Sequence, residues 1–126
     1  MMTPSSVQQR LFDVHNHLAH AADALKAARD AEVKAEEKLT MARARVTLSE
    51  ECPRPKRGEN GVTVADRDAW VDQQIQAERF DHGVAEATRK AAEDRLRVVR
   101  DQASLVQSLA SLMRAEMSLA GSGGGA

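Results

Sequence analysis

The chain has no Tyr, two Phe and one Trp in 126 residues. Sheets draw on aromatic and β-branched side chains, so this composition argues against a β-sandwich or a doubly wound sheet. Cysteine is nearly absent as well. Cys52 stands alone, which rules out an intrachain disulfide. It lies just before Pro53 at the start of a loop, where an exposed thiol is expected, and no neighbouring group marks it as a nucleophile. The net charge is −1 and the pI about 6.4, so no global field draws in nucleic acid. No signal peptide or long apolar run is present, and the chain reads as soluble and cytosolic, with no membrane contact. Gly-rich phosphate loops, HExxH, GxSxG and paired-carboxylate constellations are also missing. The expectation is a protein that is not an enzyme and needs no cofactor.

What remains is helix-forming sequence in heptads. Val7, Leu11, Val14, Leu18, Ala21, Leu25, Ala28, Glu32, Ala35, Leu39, Ala42 and Val46 are spaced alternately by four and three. That spacing keeps one seam on one side of a slightly underwound helix. One layer of the seam is mostly Leu and the other mostly Ala, so a partner helix can approach closely while Leu fills the space beside it. Only Glu32 breaks the apolar rule.

Breakers and caps set the boundaries. Thr3 followed by Pro4 offers a hydroxyl cap before a proline at the first helical position. Helix one is expected from about residue 4 to about 49. Two prolines and two glycines between Cys52 and Gly61 forbid a continuous helix, which gives a loop over 50–62. Thr63, with Asp66 three residues on, then caps a helix two expected over about 64–119. Residues 121–126 form a Gly/Ser tail expected to be disordered. The fold class is all-α: one domain over residues 1–120, a long antiparallel, coiled-coil-like helical hairpin.

Closing the hairpin about its loop puts Leu39 near Asp72 and Leu11 near Asp101. Helix two beyond about Leu109 then has no partner in its own chain. Its N-terminal half offers a thin seam of Trp70, Ala77, Val84 and Ala91, with Phe80 and Ala87 between them. Trp70 reads as core there, the alternative being a platform for a nucleic-acid base. The C-terminal half carries two stripes. Leu96, Val99, Ala103, Val106, Ala110, Met113 and Met117 keep four-three spacing, and Val98, Leu105, Leu109, Leu112 and Leu119 run beside them. One partner cannot cover both, so a homo-oligomer is expected through the overhanging C-terminal helix, at Leu105, Leu109, Leu112, Met113, Met117 and Leu119.

Charge is patterned locally. Arg54, Lys56 and Arg57 lie in the loop, with Arg43, Arg45 and Arg67 nearby, a candidate surface for phosphates. Acidic residues interleave with them, and a solvated, salt-bridged face is the default for such a pattern. Asp13, His17 and His20 share one helix face. Zinc needs three or four converging ligands and nothing supplies the rest, so no metal site is assigned.

The end of helix two, LMRAEMSLAG, together with the chain length and the loop before a long second helix, resembles the UvsY-type recombination mediators of bacteriophages. The local match is Met113-Arg114-Ala115 with Ala120-Gly121. The resemblance implies a small helical protein that assembles through its C-terminal helix in the host cytoplasm. It further implies binding of single-stranded DNA and help in loading a recombinase onto strands coated by single-stranded-DNA-binding protein. Arg43, Arg45, Arg54, Lys56, Arg57 and Arg67 would then track the DNA backbone. The alternative with the same fold is a coiled-coil protein-binding module, such as a virion scaffold or assembly chaperone.

Overall fold

The computed structural model describes residues 3–58 and 61–123. The described chain is helical, with no strand: α1 spans Pro4–Thr47, α2 Val64–Gln74 and α3 Gln76–Gly123. The all-α expectation holds.

Both predicted N-caps form. Thr3 Oγ1 accepts the Ser6 N–H at 3.1 Å, ahead of Pro4. Thr63 Oγ1 accepts the Asp66 N–H at 3.1 Å while Asp66 Oδ2 accepts the Thr63 N–H at 3.0 Å, a reciprocal capping box. Two boundaries differ from expectation. Helix two is divided at Ile75, whose φ of −105° and ψ of 21° leave the α region. The ladder survives the break, because Ile75 N–H donates to Val71 O and Arg79 N–H donates to Ile75 O. At the far end, helix runs on through Gly121–Gly123, where the disordered tail was expected. Extending an existing helix gains a bond for each residue ordered, which offsets the glycine cost. The rest of that tail, 124–126, lies outside the described residues, as do Glu59 and Asn60 of the loop.

The chain divides into two compact units. One combines the residues up to Lys26 with those from Ala91 onward. Its core is Ala21, Leu25, Leu96 and Val99, flanked by Leu18 and Ala92. The other is Ala27–Lys90, with Ala42, Cys52, Val71 and Ile75 at its centre and Leu39, Val46 and Trp70 packed against them. In each unit the strand of helix from α1 packs on helix from the second half of the chain.

All twelve predicted seam positions of α1, from Val7 to Val46, are buried or half-buried. In α1 outside that seam, only Ser6 is not exposed. The matching seam on the second half is Val71, Ile75, Glu78, His82, Ala85, Arg89, Ala92, Leu96, Val99, Ala103, Val106, Ala110 and Met113, again in alternating four-three steps and all at least half-buried. Its C-terminal part is the predicted one. The predicted N-terminal part is not: Ala77, Phe80, Val84, Ala87 and Ala91 are all exposed. The real seam there passes through charged and polar residues, which a search for apolar spacing skips. Trp70 is half-buried against the second core, in accord with the core reading.

The overhang is also corrected. Leu11, expected near Asp101, lines a groove with Ala110 and Met113, and Pro4, Val7 and Gln8 line it too. Val7 and Ala110 are both buried. Nearer the turn the pairing is closer to expectation, since Thr47 shares a depression with Arg67 and Asp68.

Cys52 is buried, 6% exposed, not an open thiol. It folds inward against Ala42, Val71 and Ile75. The turn that follows is closed by Lys56 N–H donating to Val62 O at 3.1 Å and Gly61 N–H donating to Gly58 O at 3.1 Å. Gly58 has φ 135°, a conformation L side chains rarely adopt.

Candidate interaction surfaces

Three features stand out from the helical frame. The first is a polar layer inside the seam of the Ala27–Lys90 unit. Glu32, the one break in the apolar pattern of α1, forms an ion pair with Arg89 through Arg89 Nε and Glu32 Oε2. Their side chains are only 21% and 23% exposed. Arg89 sits one heptad before Leu96 on the same seam. Stepping the predicted C-terminal seam backwards in four-three steps reaches it, so the signal was present in the spacing although not in the polarity.

The second feature is an outer stripe on α3. Ala77, Val84, Ala91, Val98, Leu105, Leu112 and Leu119 recur every seven residues, and all are exposed. Val98 is 55% exposed, Leu105 64%, Leu112 60% and Leu119 74%. In the unit that contains Ala91 onward these residues hold most of the predicted second C-terminal stripe; in the Ala27–Lys90 unit they are Ala77 and Val84, which the sequence suggested as part of a thin inner seam. Of the predicted oligomerisation residues, Leu105, Leu112 and Leu119 belong to this row. Leu109, half-buried, borders it. Met113 and Met117 instead line the groove with Pro4, Val7 and Leu11. Beside the row, a second groove of about 350 Å³ is walled by Arg10, Asp13, Val14 and His17 of α1 and by Gln102, Leu105, Val106 and Leu109 of α3.

The third feature is the basic turn. Arg45, Arg54, Lys56 and Arg57 are exposed. Arg43 and Arg67 line one shallow depression with Thr47, Asp68, Val71 and Asp72. Carboxylates are interleaved there: Arg43 Nη2 lies 3.8 Å from Asp72 Oδ1, and Arg67 Nη2 lies 3.4 Å from Asp68 Oδ1. Arg79 approaches Asp72 as well, at 3.9 Å. The structure thus brings Arg43 and Arg67 together, with two acids between them.

Elsewhere the charges behave as solvated helix faces. Lys90 Nζ reaches Glu86 Oε1 at 2.9 Å across one turn, and that hydrogen bond holds the Glu86 carboxyl below its ordinary range. Hydrogen bonds from Thr63, its backbone N–H first, do the same for Asp66. Asp13, His15, His17 and His20 are all exposed. Among the described residues, no group of His, Cys, Asp and Glu converges as a metal site, and no helix is long and apolar enough to cross a membrane. Comparison of the chain with protein-family models, with curated proteins and with solved structures returns no match.

Proposed function

We propose that the protein is a non-enzymatic helical assembly module, which keeps one seam for its own fold and offers a second stripe to other helices. The outer row of the unit that contains Ala91 onward carries this reading. Ala91, Val98, Leu105, Leu112 and Leu119 are five apolar side chains at a strict heptad interval, a pattern that another helix can follow. Exposed single apolar residues are ordinary, whereas a row repeated on one helix face is the pattern of an interface. The polar layer at Glu32 and Arg89 complements it, by giving the inner seam one permitted register. Light scattering tests the proposal. The chain should run above its 13.7 kDa monomer mass, and Leu109→Asp with Leu112→Asp should reduce it to monomer without loss of helicity. A monomeric parent chain, or a variant of unchanged size, would remove the stripe from the account.

A second reading rests on the exposed Arg54, Lys56 and Arg57 of the turn. In it the same assembly is a phage-type recombination mediator that holds single-stranded DNA through Arg43, Arg45, Arg54, Lys56, Arg57 and Arg67 and hands it to a recombinase. Repeated weak patches in an oligomer would add by multivalency. Fluorescence anisotropy of a labelled single strand, at low and high salt with a duplex control, decides it. Phosphate contacts weaken steeply with salt. Binding that is salt-sensitive, prefers the single strand and is lost on reversing Arg54, Lys56 and Arg57 to Glu supports the mediator. No binding at low salt rejects it.

A further inference from the structure

The charges of the chain are unevenly distributed. Of 18 Lys and Arg and 19 Asp and Glu, only Arg10, Asp13, Arg114 and Glu116 fall within residues 4–22 and 102–120. Both stretches belong to the same unit, whose α1 and α3 segments pack on each other. A soluble surface normally carries charge on roughly 25–35% of its residues. This end of the unit falls far short, and its few charges balance to zero.

The depletion coincides with the most apolar part of the outer stripe. Leu105, Leu112 and Leu119 are flanked by Ser104, Ser108, Ser111, Ala115 and Ser118, all exposed and small. Bulky residues alternating with small ones form knobs and holes that a like surface can fill. From this we infer that a second copy of the chain covers this face, α3 against α3, running antiparallel about a two-fold axis at Leu112. The inference rests on the assembly reading above and specifies its partner.

Three observations fix that geometry. With Leu112 on the axis, Leu105 of each copy faces Leu119 of the other. The overlap then runs from Asp101 to Gly123, so it ends where the charge depletion ends and where α3 ends. A parallel pair would instead continue upstream into Arg100, Arg97, Arg95 and Asp94, and depletion confined to one end would serve nothing. Second, the groove between α1 and α3 lies beside the stripe. The antiparallel register brings the second copy's Glu116 to the level of Arg10 on the groove wall, an opposite charge. Third, the apolar row lies wholly inside the overlap. Leu105, Leu112 and Leu119 are each more than half exposed. At roughly 100 Å² for each, two copies would bury on the order of 600 Å² of leucine surface, an apolar centre that the exposed small residues between them would border.

Cross-linking tests the direction. In a Cys52→Ser background, Ser104→Cys and Ser118→Cys chains are prepared singly and as a mixture, then treated with a short bis-maleimide. The antiparallel pair predicts covalent dimer mainly in the mixture, joining 104 to 118, at least several-fold above either variant alone. Dimer formed by each variant alone and not enhanced by mixing would overturn the antiparallel geometry while leaving the assembly reading in place. No oligomer by light scattering of the parent chain would overturn both. Cys52 is itself in a core, so the Cys52→Ser chain is first checked by circular dichroism. If it is unfolded, the same thiols are placed in the parent chain, where buried Cys52 is protected from the reagent. A mass of twice the monomer for the parent chain, falling to monomer in Leu112→Asp, is the companion result expected. A larger closed assembly would overturn the two-fold pair.

Discussion

The ion pair between Glu32 and Arg89 gives the sharpest test of how this fold chooses its register. The seam of α1 is nearly self-similar under a shift of seven residues, since Leu11, Leu18, Leu25 and Leu39 occupy equivalent positions. Apolar packing alone would discriminate weakly between neighbouring registers. A single polar residue in such a layer fixes the register at a cost in stability. Removing Arg89 leaves the Glu32 carboxylate about a fifth exposed without this guanidinium, and removing Glu32 takes away one partner of Arg89. Exposed pairs are worth about 0–1 kcal/mol, and breaking a fully buried pair costs about 3–5 kcal/mol. An intermediate site should lose about 1–3 kcal/mol in Glu32→Ala or Arg89→Ala. With a urea m-value of about 2 kcal/mol/M, the midpoint of unfolding should fall by roughly 0.5–1.5 M. Replacing both by Leu should behave differently. Equilibrium stability should return to the parent value or rise, because desolvation of two charges is avoided. Uniqueness should suffer, seen as broadened or doubled amide signals from residues near 32 and 89 in a proton–nitrogen NMR spectrum. Circular dichroism during urea titration of the two single variants and the double Ala variant supplies a double-mutant cycle. Strictly additive effects, with coupling below about 0.3 kcal/mol, would refute the idea that the two residues act as one layer.

Several other outcomes are fixed by local geometry. Thr63→Ala should cost about 1 kcal/mol by removing the cap of α2, measured by thermal or urea unfolding. Asp66 contributes through the same box, and its carboxyl is held below its ordinary pKa, so that contribution is present above the unfolded-state pKa and is lost as pH falls through the lower folded value. An Asp66→Asn chain should show a correspondingly flatter stability profile on the acid side, and an unchanged profile would contradict the assignment. Gly61→Ala should destabilise the turn, because an added Cβ would stand 2.2 Å from Lys56 O, a backbone atom that cannot rotate away. Cys52 should react with a thiol reagent only slowly in the native chain and fast in denaturant; immediate native reaction would contradict its place among Ala42, Val71 and Ile75.

The helices, their caps and the complete seam of α1 were legible in the sequence, because each follows from a local rule acting on adjacent residues. The seam of the second half was legible only where it is apolar. From Leu96 onward the four-three spacing could be seen; before it, Glu78, His82 and Arg89 fill the inner positions, while Ala77, Phe80 and Val84 fill outer ones. Polarity and position part company there, and a reading by polarity puts the wrong face inward. The register between the two halves was not legible for a different reason. Heptad spacing fixes which face of each helix turns inward, but seams that repeat every seven residues do not say which layer meets which. The break at Ile75 has no local marker either, since no proline or glycine stands beside it. Of the surfaces, the Leu row is legible at its C-terminal end, whereas Ala77 and Val84, apolar but outward, read as an inner seam.

The separation of polarity from position bears on what α3 is for. A residue of the outer row stands two positions beyond the inner Leu or Arg layer, about 200° around the helix at 100° per residue. The other inner layer, through Val99, is one position away, so the row stands about 130° from the middle of the seam, and α1 covers one face while leaving most of the other open. On a straight helix a strict seven-residue row drifts by about 20° per heptad. Over the four intervals from Ala91 to Leu119 it would wander by roughly a fifth of a turn. It stays a usable surface only if the helix is held near 3.5 residues per turn, and the inner four-three seam imposes that period on the same residues. Inner packing thus sets the geometry of the outer row. Weakening the seam, for instance at Leu96 or Val99, should reduce self-association even though neither residue is on the outer face, whereas Asp at Leu112 should reduce it with the fold intact. If sedimentation showed association unaffected by seam variants that remain folded but loosened, the two rows would be independent, and this coupling would fail.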